Sequence, residues 1–309
     1  MVLETLQAEE KEDLTVTFLR HALMVIRGFL RKDKVYEVVQ ETKGPQASIA
    51  FLKKVENLVK VYVATFYRDH DHWKSYPDAI LPAIDTINFF DIAPFRPVIL
   101  AIAAKFPPKE ALNAFKIFIS LGVRLLIATS TRSGSVEETL APAANKIYIG
   151  RISTAAELKT EINGLIPNDT QFQQAFENAT VSKGPLARYY LRALENAHQK
   201  RPDPYYILQS DKEEITLEHI LPEKPEHNWP QFSLEEHASY WRRIGNMILL
   251  RYKDNSGLKS NPFQEKIPVY KSCPYRLTSQ VSDVQDWTVE KIRERQVGLA
   301  KLALKAWPI

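Results

Sequence analysis

The stretch from Ile215 to Lys266 constrains the fold of this 309-residue chain most strongly, because it interrupts an otherwise helical pattern. Residues 215–217 alternate in hydrophobicity, which is typical of a short β-strand, and they lead directly into Glu218 and His219. A proline three residues after the histidine cannot donate to a sheet ladder, so it ends the strand. The sequence therefore predicts an acid and a histidine side by side at the end of a strand.

A second strand and the start of a helix follow in the same stretch. Gly245 and Asn246 precede a short apolar run over residues 247–250, which predicts the second strand. Asn255 then lies where a helix can begin, because Asp and Asn side chains favour the N-cap position. The predicted order is strand, loop, strand and helix, with His219, Asn246 and Asn255 at the joints.

Three motifs in this stretch resemble those of a known family. They read Thr-Leu-Glu-His-Ile-Leu-Pro (216–222), Ile-Gly-Asn-Met-Ile-Leu-Leu (244–250) and Asn-Ser-Gly-Leu-Lys-Ser-Asn-Pro-Phe-Gln-Glu-Lys (255–266). A closing helix that includes Trp287 and residues 292–295 follows them. Together they resemble the C-terminal nuclease domain of GmrSD-type, modification-dependent restriction enzymes, and their order resembles the ββα-metal core of HNH endonucleases. The resemblance covers about the last third of the chain and extends to the helical region before it.

The resemblance implies a metal-dependent phosphodiester hydrolase with a catalytic set of His219, Asn246 and Asn255. His219 would be the general base that takes a proton from water, a task that suits a neutral imidazole near pH 7. Glu218 and Asn255 would hold the metal, expected to be Mg²⁺ with Mn²⁺ as a substitute, because Mg²⁺ prefers oxygen ligands and needs few from the protein. Asn246 would hold the loop that orients His219, and Asn261 is an alternative or additional site residue.

The position of Glu218 leaves its role open. Adjacent residues on a regular strand face opposite sides, so Glu218 and His219 serve one site only if the strand twists or ends there. Pro222 is consistent with such an ending. The alternative interpretation of the motifs is structural, with His219 as a core histidine bonded to backbone and Asn246 as a turn residue.

Positive charge is concentrated around the motifs, although the whole chain carries a formal net charge of only +4. Residues 242–276 contain eight basic residues against two acidic ones. A phosphate-binding surface requires such an excess, and a solvated basic face is the alternative. The residues expected to contact DNA are Arg251, Lys253, Lys259 and Lys266.

The chain before the motifs is predicted to be helical. Apolar residues recur at helical spacing over 14–30 and 46–68, and few runs favour strands. A charged, proline-rich stretch over 199–204 is a plausible linker. The predicted fold class is therefore mainly α. An all-helical domain for coupling or recognition over 1–200 precedes a small α+β, ββα-metal (HNH-like) nuclease domain over 205–309.

The family architecture also includes an N-terminal nucleotide-hydrolysing domain with an Asp-Gly-Gln-Gln-Arg motif. That motif does not occur in this sequence, so nucleotide hydrolysis is not expected of this chain. The chain would be either a fragment of a longer protein or a stand-alone relative. A nucleotide-hydrolysing module absent from this chain is the expected partner, besides DNA that is modified or of phage origin.

Cysteine content and hydropathy point to a cytoplasmic protein. The single cysteine, Cys273, excludes a disulfide within the chain and a cysteine-rich zinc site. The polar, acidic first thirteen residues do not resemble a secretory signal. The longest apolar stretch, 114–129, is interrupted by Lys116 and Arg124 and is too short to span a bilayer, so it predicts a buried helix and no membrane partner.

Two functional hypotheses follow from the sequence. The first is a metal-dependent HNH DNA endonuclease that nicks or cuts DNA in restriction or anti-phage defence. The second is a non-catalytic helical module that binds nucleic acid or another partner. The intact set of His219, Asn246 and Asn255 favours the nuclease, since a module that only binds has no need of a base.

Overall fold

The computed structural model describes residues 8–128, 133–206, 215–225, 227–255 and 257–309. The chain divides into two compact units, the first ending at Ile166 and the second extending from Pro167 to Ile309. The last residues of the sixth helix, 126–128, group with the second unit. Within the described residues, fifteen α-helices accompany one two-stranded sheet, so the predicted mainly α class is confirmed.

The first unit contains eight helices. They are α1 (Ala8–Arg27), α2 (Val35–Gln40), α3 (Pro45–Ala64), α4 (Ile80–Phe90), α5 (Arg96–Lys105), α6 (Pro108–Ala128), α7 (Ser133–Tyr148) and α8 (Ala155–Glu161). Helix α5 is the centre of this unit, since it packs against α1, α3 and α7 and its residues 97–103 are all buried. A helix apolar on every side requires neighbours all round, which explains why α5 is surrounded.

Helix α6 corresponds to the long apolar stretch of the sequence. Among the described residues it is the one helix long and apolar enough to cross a membrane, by length and composition. Within its most apolar window, however, 67% is buried inside the protein, and Arg124 is fully buried. This burial agrees with the prediction of a buried helix.

The second unit contains seven helices and the sheet. The elements are α9 (Asp169–Phe176), α10 (Gly184–His198), β1 (Ile215–His219), α11 (Leu234–Tyr240), β2 (Met247–Arg251), α12 (Tyr252–Asn255), α13 (Phe263–Lys271), α14 (Arg276–Ser279) and α15 (Val289–Ala306). Both predicted strands are present, and they pair antiparallel with Ile215 opposite Arg251 and His219 opposite Met247.

Helix α15 packs against α9, α10 and the 3₁₀ turn Ile244–Asn246. At its C-terminal end Trp307 is fully buried, with ring contacts to Phe172, Phe176 and Tyr190. Its indole nitrogen also lies 3.1 Å from the hydroxyl of Tyr189. The aromatic side chains of α9 and α10 therefore form one core with the closing helix.

Helix α10 is tied to the rest of this unit by a buried carboxylate. Glu195 is 2% exposed and accepts hydrogen bonds from the backbone nitrogens of Arg276 and Leu277, at 2.7 and 2.8 Å. These two bonds satisfy the first nitrogens of α14, which have no partner within their own helix. Apart from a few residues of α6, the unit that carries the motifs begins at Pro167. The predicted boundary between a helical domain and a nuclease domain at residues 200–205 stays a prediction.

Candidate active site

His219 is the last residue of β1, and its imidazole is partly buried. The centroid of its ring lies 5.5 Å from that of Trp241. Burial lowers the pKa of His219; Glu223 acts against this shift, and the positive charges of Lys266 and Arg242 add to it. No hydrogen bond joins the ring to any residue that the structure describes. Burial thus favours the neutral form of this imidazole.

Asn246 fixes the backbone that follows His219. The backbone nitrogens of Ile220 and Leu221 donate to its carbonyl and side-chain oxygens, both at 2.9 Å. Its side-chain nitrogen donates to the carbonyls of Leu221 (2.8 Å) and Trp241 (3.0 Å). The indole nitrogen of Trp287 donates to the side-chain oxygen at 2.9 Å. The fully buried amide is thus satisfied on both sides, in a geometry that suits the predicted loop-holding role.

Two residues of α15 support the turn that carries Asn246. Arg295 donates to the carbonyls of Gly245 (2.7 Å) and Met247 (2.9 Å), and burial lowers its pKa to about 10. Gln296 accepts from the nitrogen of Gly245 at 3.2 Å and donates to the carbonyl of Phe176 at 2.8 Å. Through these hydrogen bonds α15 connects the motif at residues 244–250 to α9.

Asn255 lies at the end of α12 and not at the start of a helix, which corrects the predicted N-cap. The chain turns into α12 directly after β2, and the side chain of Asn255 bonds across to β1 instead of capping its own helix. Its side-chain nitrogen donates to the hydroxyl of Thr216 (3.0 Å) and the carbonyl of Leu217 (3.1 Å). The amide oxygen makes no bond within the described part of the chain. Asn255 is thus held against the strand that ends in His219.

Glu218 is turned toward the interior and is 8% exposed. One of its carboxylate oxygens lies 2.7 Å from the ammonium of Lys266 and accepts from the hydroxyl of Tyr270 at 3.3 Å. Lys266 is fully buried and also donates to the carbonyls of His219 (3.3 Å) and Ile220 (3.2 Å). Burial raises the pKa of Glu218 and lowers that of Lys266, while the charge of each opposes the shift of the other.

The sequence predicts a metal ligand at Glu218 and a DNA contact at Lys266, but the structure pairs these two side chains in the interior. An ammonium that is fully buried among three oxygens has no surface to offer to a phosphate. The other predicted DNA contacts reach the surface. Lys253 and Lys259 are exposed, and Arg251 is partly exposed and forms a 3.5 Å ion pair with Asp254.

Of the two predicted metal ligands, Glu218 is held by Lys266, and Asn255 keeps an amide oxygen that makes no bond within the described part of the chain. No group of three or more His, Cys, Asp or Glu side chains suited to a metal occurs among the described residues. The oxygen of Asn255 remains available as a hard ligand. Mg²⁺ keeps several waters and often completes its shell with substrate phosphates, so few protein oxygens suffice. Glu218 does not fit this set while Lys266 holds its carboxylate.

Several residues of the site lie outside the three motifs. Trp241 touches His219 but belongs to none of the three motifs. Arg295 and Trp287 lie in the closing segment that resembles the family, and that resemblance is the one available signal for them. Gln296 lies one residue beyond this segment.

Residues 166–302 match the family model described as "GmrSD restriction endonucleases, C-terminal domain". The match begins one residue before the second compact unit and includes His219, Asn246 and Asn255. It confirms the resemblance that the three motifs indicate, so this region of the chain is similar to the C-terminal domain of GmrSD restriction endonucleases. The match covers rather less than half of the chain. No curated protein matches the chain.

Proposed function

We propose that this chain is a metal-dependent DNA endonuclease of the HNH type, with His219 as its general base. The family match supports a restriction-type nuclease with DNA as its substrate. The observation that carries the mechanism is the His219 imidazole, which is partly buried at a strand end and has a lowered pKa. Its ring has no hydrogen-bond partner among the described residues, so it is free to accept a proton from water.

The proposed reaction is the attack of water on a DNA phosphorus atom. A neutral His219 removes the proton as the oxygen attacks, and the bond from phosphorus to one sugar oxygen breaks. Asn255 would hold the metal through its amide oxygen, and the ion would neutralise charge on the leaving oxygen. Arg251, Lys253 and Lys259 would bind phosphates on either side of the cleavage position.

The order of β1, β2 and α12 supports an HNH-like arrangement in a reduced form. The two strands are antiparallel, and a helix of only four residues supplies Asn255. Asn246 holds residues 220–221 through three hydrogen bonds and so fixes the backbone next to the base. This supports Asn246 as a positioning residue that does not itself touch the substrate.

The family's name supports the proposed biological substrate. Restriction enzymes act on foreign DNA, so we include phage DNA and modified DNA in the substrate class. A nucleotide-hydrolysing module that this chain lacks is the proposed partner. Both proposals rest on the family match and not on a contact in the structure.

A module that binds DNA without cutting it is the second candidate. The observation that favours it is the engagement of Glu218 by Lys266, which removes a carboxylate from the expected metal set. Incubation of the protein with supercoiled plasmid, in Mg²⁺, in Mn²⁺ and in excess chelator, separates the two candidates. We expect nicked or linear plasmid with either metal and intact plasmid with chelator. Retarded but uncut plasmid under all three conditions would establish the binding module instead.

A further inference from the structure

An exposed arginine is held next to the proposed base by an aromatic ring. The guanidinium carbon of Arg242 lies 4.3 Å from the ring centroid of Trp241, a cation–π distance. The same indole contacts the imidazole of His219 at 5.5 Å between centroids. Arg242 is also close enough to His219 for its charge to lower the pKa of the imidazole. One tryptophan thus contacts both the base and a positive charge.

The backbone of this pair is anchored on both sides. The carbonyl of Trp241 accepts from the side chain of Asn246 at 3.0 Å, and that of Arg242 accepts from the nitrogen of Val181 at 3.0 Å. Residue 243 also forms an isolated antiparallel bridge with Thr180. Trp241 and Arg242 are therefore fixed to the Asn246 turn and to the segment after α9, although they lie between α11 and β2.

Arg242 differs from the other arginines around the site. Arg243 donates to the carbonyl of Glu177, Arg251 pairs with Asp254, Arg293 donates to the hydroxyl of Tyr240 and Arg295 binds backbone carbonyls. The guanidinium of Arg242 forms no hydrogen bond or ion pair within the described ranges. Its side chain is exposed, and a guanidinium is a planar fork that can bind two oxygens of a phosphate.

We propose that Arg242 binds the DNA phosphodiester presented to His219 and that Trp241 is the positioning residue for both side chains. This inference rests on the proposed nuclease function and assigns its phosphate ligand. A guanidinium stacked on an indole loses less freedom on binding than a free side chain, which favours a defined phosphate position.

The alternative use of Trp241, as a stacking surface for an unpaired base, fits the contacts less well. Arg242 covers one face of the indole. The ring of His237 lies parallel to it, with an interplanar angle of 7° and centroids 6.5 Å apart. The imidazole of His219 occupies a further position around it. These contacts come from the chain itself, so the indole acts as a support.

The experiment measures binding of a short DNA duplex to the full-length protein in excess EDTA, by fluorescence anisotropy at several salt concentrations. We expect Arg242→Gln to weaken binding about tenfold. It should also reduce the slope of log affinity against log salt by about one, since one phosphate contact is lost. Arg242→Lys should restore part of the affinity, because it restores the charge without the planar fork. Trp241→Leu should weaken binding in the same direction, with no further loss when it is combined with Arg242→Gln.

The matched control is Arg276→Gln, which removes the same charge from another exposed position of the same unit. We expect it to change the affinity less than about twofold. Equal losses for the two glutamine variants would indicate a diffuse basic surface and would overturn the proposal, as would wild-type binding by a folded Arg242→Gln variant.

The proposed function is judged separately, on plasmid cleavage. A wild-type protein that binds through Arg242 without cutting overturns the nuclease function and leaves the phosphate ligand standing, whereas a protein that does not bind DNA overturns both.

Discussion

Glu218 and His219 are neighbours in the sequence but lie in different surroundings. The histidine ring has no described hydrogen-bond partner, while the carboxylate of Glu218 is buried against Lys266 and Tyr270. Alternation along the strand is the physical reason, because it turns one side chain toward the interior when the other is at the site. Lys266 was placed among the DNA contacts because of its charge, since a sequence does not reveal which lysines are buried in an ion pair.

The first prediction distinguishes a structural Glu218 from a metal ligand. Glu218→Ala leaves the ammonium of Lys266 buried without its partner, which should cost roughly 3–5 kcal/mol of stability in urea unfolding. Glu218→Gln keeps an oxygen for Lys266 and should retain cleavage with an unchanged Mg²⁺ requirement. The exposed neighbour Glu265→Ala serves as the control and should resemble the wild type. A large rise in the Mg²⁺ requirement of a stable Glu218→Gln variant would restore the metal-ligand role.

Among the elements, three helices begin at capping boxes, which are set by local sequence. Capping boxes at Thr154, Asn168 and Ser233 are all present, each with the reciprocal bond from the residue three positions later. These signals are contained within four residues, so they act wherever the chain folds. Asn255 shows the limit of such reasoning, because a contact with β1, about forty residues away in sequence, decides its role.

The turn before β2 depends on the close approach of α15. A Cβ atom on Gly245 would lie 2.4 Å from the carbonyl oxygen of Ile292 and 2.8 Å from the Cβ of Gln296. Neither atom can move away from this position unless helix α15 moves. Glycine is therefore required at position 245, immediately before the asparagine that fixes the loop after His219.

We predict that Gly245→Ala lowers the free energy of unfolding by about 1–3 kcal/mol, the usual range for overpacking in a core. Gly298→Ala is the matched control, because it lies in α15 and a Cβ there has nothing within 4 Å. It should leave stability unchanged or raise it by up to about 1 kcal/mol. Chemical denaturation of the two variants measures both effects. Equal stability of the two alanine variants would show that α15 does not approach the turn as closely as described.

For the whole molecule, the helical character follows from local patterns, whereas the contacts that hold the motif-bearing unit together do not. Helical spacing of apolar residues suffices to predict a mainly α chain. The contact between Trp307 and Tyr189 joins residues 118 positions apart, and no local sequence pattern predicts it. The same holds for Glu195, whose bonds to α14 span more than eighty positions.

We therefore predict that residues 167–309 fold as an independent unit with metal-dependent plasmid cleavage, whereas residues 205–309 do not fold. The shorter fragment loses α9 and α10, and with them the aromatic partners of Trp307 and the cap on α14. Circular dichroism and cooperative unfolding in urea report on folding of both fragments. Cooperative unfolding of 205–309 with the same stability as 167–309 would refute this account of the unit.

Cleavage of supercoiled plasmid in Mg²⁺ by His219→Ala and by the wild type tests the role of His219 as the general base. We predict a loss of cleavage of at least about 100-fold, with duplex binding in EDTA within about twofold of wild type, because a general base acts on water and not on phosphate affinity. His227→Ala, an exposed histidine in the segment between the strands, should cut as the wild type does. Cleavage by His219→Ala at the wild-type rate would contradict the assignment of His219 as the base.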